Sequence, residues 1–253
     1  MYRHESEEFA DSVARALNAS NIPCVLWGQY LLSLWGVPTS TPTLDFIIPD
    51  ASLAAATEVM TTSTQFTRPL HACPDTGTCH WIPPTNRKPP PSFHLHIQDS
   101  ADTPVVRLFL QSETLWILPP FNASLANPRE HPLPPSLVLA CDTTVVPRPR
   151  AGEGGGAFLS DETVVLVLKP EIMVEAYMRI LVRDIDTPRC SYENLNYMLQ
   201  YVEGRHFINH KLLSAPLSDV YEDLRDDTMP MPDLMDKLED VGVGLPPVCY
   251  EGR

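Results

Sequence analysis

Proline punctuates most of this chain after Pro23, and that density sets the strongest limit on its elements. There are 27 prolines in 253 residues, about twice ordinary usage. Each fixes φ, removes a backbone donor and pushes the residue before it out of the helical region. Only 11 glycines accompany them, so short elements joined by rigid loops are predicted. A hydrophobic share of 43% against 20% charged residues still supports a globular interior. The length suits one large domain, or a core with a smaller lobe.

The charge balance narrows the function classes. Eighteen Lys and Arg stand against 32 Asp and Glu, a net charge of −14. A protein that coats DNA or RNA needs a broad basic face, so broad nucleic-acid binding is not expected. No apolar run approaches the roughly 20 residues of a membrane span, and no membrane partner is expected. The acidic start, Met1 to Glu8, lacks the apolar stretch of a signal peptide. Six cysteines at 24, 73, 79, 141, 190 and 249 are too scattered for a disulfide framework. The expectation is a cytoplasmic or nuclear protein with reduced thiols.

Periodicity and punctuation give an α/β order. Phe9, Val13, Ala16 and Leu17 fall at helical spacing, and Asn21-Ile22-Pro23 ends that helix. Cys24–Trp27 reads as a short buried strand, Gly28 interrupts it, and Gln29–Trp35 reads as a helix stopped by Gly36-Val37-Pro38-Thr39. Leu44–Ile48 is a second strand closed by Pro49-Asp50, and Ala51–Met60 a third helix. Residues 67–92 read as a proline-rich insertion loop. Strands follow at Phe93–Gln98 and Val105–Gln111, a third is expected at Leu115–Leu118, and Leu137–Cys141 is a short buried segment. A flexible linker is expected over 147–160. Val164–Leu168 is strand-like. Lys169-Pro170-Glu171 opens an amphipathic helix, with further helices at Tyr192–Val202, Leu217–Asp226 and Pro232–Val241. The predicted fold class is α/β (α+β): a mixed sheet flanked by helices over 1–146, with a mainly helical lobe over 161–253.

The informative stretch is Val25-Leu26-Trp27-Gly28-Gln29, the helix after it, and Thr43-Leu44-Asp45-Phe46-Ile47. It resembles the N-terminal core of the nucleotidyltransferase fold, the superfamily of DNA polymerase beta and the minimal nucleotidyltransferases. Within it the chain looks most like fungal nucleotidyltransferase-like proteins. There a strand ends in Gly-Gly or Gly-Ser, a helix follows, and the next strand presents Asp-hydrophobic-Asp. The chemistry explains the pattern. Glycine lets backbone approach a triphosphate. Carboxylates at i and i+2 of a strand share one side and can hold Mg²⁺ for in-line attack at the α-phosphate, with a third carboxylate supplied by a neighbouring strand. The resemblance therefore implies Asp45 as catalytic residue and Mg²⁺ ligand, and Gly28, Gln29 and Thr43 as nucleotide-binding positions.

This chain departs from that pattern at three places. Gln29 replaces the second small residue of the turn, Thr43 replaces the first carboxylate, and neither Phe93–Ile97 nor Val105–Leu110 contains a carboxylate. The resemblance then implies a degenerate member that binds a nucleoside triphosphate or a protein partner without efficient transfer. One alternative is an active Mg²⁺-dependent transferase that moves a nucleoside monophosphate to a hydroxyl, with Asp50, Asp99 or Asp102 joining Asp45. Another is an interaction protein, with proline-rich loops as its surface and the cleft filled by Trp27, Tyr30 and Trp35.

Three further groups carry chemistry. Cys73, Cys79, His94 and His96 have the residue types of a zinc site, with His80 nearby, although solvated histidines and free or disulfide-linked cysteines account for them as well. Arg148, Arg150 and Gly154-Gly155-Gly156 suit either a phosphate-contacting loop or a plain linker, and no Walker-type lysine follows them. Glu175, Arg179, Arg183 and Asp184 lie along one predicted helix, where Glu175–Arg179 is ordinary i,i+4 support.

Overall fold

The computed structural model describes residues 3–39, 43–64, 66–67, 70–72, 89–97, 105–149, 155–184, 189–205, 207–226 and 231–241. The chain divides into two compact units, the first ending at Leu168 and the second beginning at Lys169.

The first unit is built on a seven-stranded mixed sheet. Its strands are β1 (Val25–Trp27), β2 (Thr43–Ile48), β3 (Leu70–Ala72), β4 (Phe93–Ile97), β5 (Val105–Leu110), β6 (Leu137–Leu139) and β7 (Leu166–Leu168), in the order β3-β4-β5-β2-β1-β7-β6. The central β2 runs antiparallel to β1 and parallel to β5. Every residue of β2 is buried, which is why apolar residues fill both of its faces, with Asp45 as its one charge. Helices α1 (Arg3–Ala19), α2 (Gly28–Leu34) and α3 (Leu53–Thr62) belong to this unit. α1 buries Phe9, Val13, Ala16 and Leu17 in the core, the stripe its spacing predicted, and Ala10 and Ala14 join them.

The turn from β1 to α2 needs its glycine. Trp27 is extended, Gly28 takes φ +66°, and the helix starts there without a spacer. α2 then stops where the sequence says it should: the Gly36 and Val37 amides bond back to Ser33 and Leu32, and Pro38 follows.

Two expectations are corrected in this unit. Leu115–Leu118 is not a strand. The chain forms a short helix, α4 (Gln111–Thr114), followed by a turn. Gln111 holds that turn by donating to the Pro119 carbonyl at 2.9 Å and accepting from the Phe121 amide at 2.8 Å. The 67–92 insertion is also not all loop, because Leu70–Ala72 pairs antiparallel with β4 and extends the sheet. Of the expected linker, 150–154 lies outside the described residues. Its later part is packed within the first unit. The Ala157 amide bonds Pro147 and the Phe158 amide bonds Ala140, and a Cβ on Gly155 would sit 2.0 Å from the Ser33 carbonyl oxygen.

The second unit is helical, with α5 (Pro170–Arg183), α6 (Arg189–Tyr197), α7 (Ala215–Arg225) and α8 (Met231–Asp240). α6 runs on into a π-helical turn, Met198–Val202. α5 opens on Pro170 as predicted and is buried along most of its surface. Glu175 pairs with Arg179 at 2.7 Å and also accepts from the Ser214 hydroxyl at 3.3 Å, so this pair ties α5 to the start of α7. Arg183 bonds its neighbour Asp184 at 2.9 Å, both side chains almost fully buried.

Candidate functional site

Strand pairing assembles one row of side chains across four adjacent strands. Trp27 lies opposite Asp45, Asp45 opposite Arg107, and Arg107 opposite His94. Residues directly opposite share a face of the sheet and touch, so the row brings together residues up to 80 positions apart in sequence.

At its centre is a closed ion pair. Arg107 Nε donates to Asp45 Oδ1 at 2.6 Å and Arg107 Nη2 donates to Asp45 Oδ2 at 2.5 Å. The same Nη2 reaches the Thr43 hydroxyl at 3.1 Å. Asp45 is 2% and Arg107 3% exposed. A bidentate fork of this kind is the strongest ordinary ion-pair geometry, and in a buried setting each charge depends on the other. The guanidinium carbon also lies 5.6 Å from the Phe109 ring centroid. Gly28 makes room for the carboxylate, since a Cβ there would sit 2.3 Å from Asp45 Oδ2.

This arrangement does not fit a divalent cation. Mg²⁺ is held by hard oxygen ligands, carboxylates above all, in octahedral geometry. Here the carboxylate oxygens face a fixed protein cation, the companion position offers only a hydroxyl already bonded to that cation, and the neighbouring strand presents arginine where a third carboxylate was sought. Asp50, one proposed helper, accepts from the Ser112 amide at 3.0 Å and from the Ser112 hydroxyl. Asp99 and Asp102 lie outside the described residues.

Gln29 is half-buried and accepts a hydrogen bond from the Thr39 hydroxyl at 2.7 Å, so its amide ties the first turn of α2 to the loop that follows the helix. Trp27, Tyr30 and Trp35 are all buried. The Tyr30 ring lies 6.0 Å from Phe158, and Trp35 Nε1 donates to the Leu168 carbonyl at 3.2 Å.

The histidines extend the row toward the sheet edge. His94 is 5% exposed and its Nε2 has no hydrogen-bond partner. Burial holds its pKa below the usual imidazole value, and the nearby His96 and Arg107 charges add to that. The His96 ring stands edge-on to His94 at 5.4 Å and stacks on His71 at 5.7 Å. Cys73, Cys79 and His80 lie outside the described residues. Among the described residues no group of three His, Cys, Asp or Glu side chains is placed to hold a metal ion. Arg148 is exposed, while Arg150 and Gly154 fall outside the described residues.

Arg107 is the residue that sequence reasoning missed. Its signal was present: it is the one charge in Val105–Leu110, and a lone charge in a buried apolar strand calls for a buried partner. No family model, curated protein or solved structure matches this chain.

Proposed function

We propose that this protein is a degenerate member of the nucleotidyltransferase fold, which binds a nucleotide or a protein partner without transferring a nucleotidyl group. The observation that carries this reading is the Arg107 fork on Asp45 and Thr43. Both positions of the Asp-hydrophobic-Asp motif are engaged by one guanidinium, so the charge that a metal supplies in an active relative is supplied by the chain itself. An active transferase would first have to break a buried ion pair.

A second reading, an interaction protein with a filled cleft, has one observation in its favour. Trp27, Tyr30 and Trp35 are buried within the first unit, as that reading requires.

Two measurements on the full chain separate these readings. The first is incorporation of labelled nucleoside triphosphates into any acceptor with Mg²⁺ or Mn²⁺, compared with Asp45→Asn. No Asp45-dependent incorporation is expected, and finding it would refute the proposal. The second is thermal stabilisation by each triphosphate in Mg²⁺ and in chelator. A ligand at 100 times its Kd adds about 2.7 kcal/mol, and the expected shift is the same in both buffers. No shift with any triphosphate moves the reading to the interaction protein.

A further inference from the structure

β3 is a thinly anchored strand. It is three residues long, lies at the edge of the sheet and pairs only with β4, through Leu70–Ile97, His71–His96 and Ala72–Leu95. So short a ladder supplies few hydrogen bonds. Successive side chains of a strand point to opposite faces, so His71 takes the face opposite to that of Leu70 and Ala72.

The residue across from His71 is a second imidazole. Directly opposite side chains of an antiparallel pair approach each other closely, and the His71 and His96 rings stack at 5.7 Å between centroids with their planes 30° apart. His71 is exposed and His96 half-buried, so both rings are open to an ion in water. His94 differs, because its Nε2 is sealed from solvent, and it takes no part. Two imidazoles bound to one ion through bonds of about 2.0–2.1 Å, at angles of about 90–110°, have ring centres about 4.5–5.2 Å apart. A small turn of either ring brings the 5.7 Å seen here into that span.

The charges nearby permit a cation. β3, β4 and α3, the helix packed on β3, carry no Lys or Arg, and the one charged residue of α3 is Glu58. Arg107 lies on the next strand, opposite His94, and Asp45 holds its charge in the buried fork.

We propose that His71 and His96 chelate a divalent transition metal of the nickel, copper and zinc class, which imidazole suits, and that the ion clips β3 onto β4. Water completes the coordination shell, since among the described residues no third protein ligand is placed to do so. The two ligands meet only when β3 is paired, so the metal stabilises the paired edge by mass action. This site is independent of the Asp45 fork and of any nucleotide.

The test is hydrogen exchange of the full chain across a Ni²⁺ series up to about 1 mM, read at Leu70–Ala72 so that ions bound elsewhere do not count. Exchange there is expected to slow by about tenfold at 10 times the Kd, while Leu137–Leu139, at the other edge of the sheet, stays unchanged. His71→Gln alters an exposed side chain and is expected to melt with wild type in chelator. It and His96→Gln are each expected to move the midpoint of the Ni²⁺ series upward by at least the about 10–100-fold that changes behind a metal ligand cost. No slowing at Leu70–Ala72, equal slowing at Leu137–Leu139, or an unchanged midpoint in either variant overturns the proposal.

Discussion

Removing one member of the Asp45–Arg107 pair should cost far more than removing both. The side chains are each 3% exposed, so solvent screening gives no discount of the kind that makes surface pairs weak. Arg107→Met leaves a buried carboxylate unpaired and takes the donor from Thr43. Asp45→Val leaves a buried guanidinium without its carboxylate. Breaking a buried pair from one side costs about 3–5 kcal/mol, whereas replacing both partners by apolar groups is often neutral or favourable. At about 2–4 °C per kcal/mol for a chain of this size, each single variant should lose about 6–20 °C of Tm. The double variant should lose less Tm than either single variant, which sets the coupling energy above about 3 kcal/mol, the least cost of one single change. Urea unfolding followed by tryptophan fluorescence reads this cycle, since Trp27 lies directly opposite Asp45. Single losses below about 1 kcal/mol, or additivity within about 0.5 kcal/mol, would refute the buried clamp.

Three more outcomes follow from the same side chains. Gly28→Ala should cost about 1–2 kcal/mol from its φ of +66° alone, and more because the new Cβ displaces Asp45 Oδ2; Gly204→Ala, with nothing within 4 Å, is the control and should stay within about 0.5 kcal/mol in the same urea titration. His94 is held neutral by burial and by the neighbouring His96 and Arg107 charges, so the unfolded chain takes up its proton first. Stability should be full above about pH 6.5 and fall as the pH drops toward the lower folded pKa, and His94→Leu should flatten that slope in pH-dependent melting curves. Cys24 is 2% exposed with its pKa pushed up to about 12 by burial, so iodoacetamide should leave it unmodified in the native protein and alkylate it in denaturant, as located by peptide mass spectrometry.

Much of the fold was legible because local signals agreed with the tertiary outcome. The run Leu44–Ile48 between Thr43 and Pro49-Asp50 reads as a strand from its residues and is one in the sheet. Lys169-Pro170-Glu171 opens α5 as its chemistry requires. Leu115–Leu118 failed for an equally physical reason. Its apolar and aromatic residues favour extended chain, but the Gln111 side chain bonds Pro119 and Phe121 across the turn and holds it closed. The two-strand edge at Leu70–Ala72 was hidden in a segment dominated by proline, where three residues carry too little pattern to be seen.

The candidate site was legible by half. Gly28, Thr43 and Asp45 stand out because their spacing is local and their chemistry is specific. Their partner does not, because Arg107 is 62 residues from Asp45 and meets it only through the parallel register of β2 on β5. Nothing in a short strand fixes that register until the whole sheet packs. The same holds for the His94–His96–His71 row, which depends on β3 pairing at the edge.

Mn²⁺ binding measured by electron paramagnetic resonance tests the central claim most directly. If Arg107 is the cation that serves Asp45, wild type and Asp45→Asn will bind Mn²⁺ with the same weak affinity, with or without a nucleoside triphosphate. A tight Mn²⁺ site that disappears in Asp45→Asn would contradict that claim and restore the metal-dependent transferase.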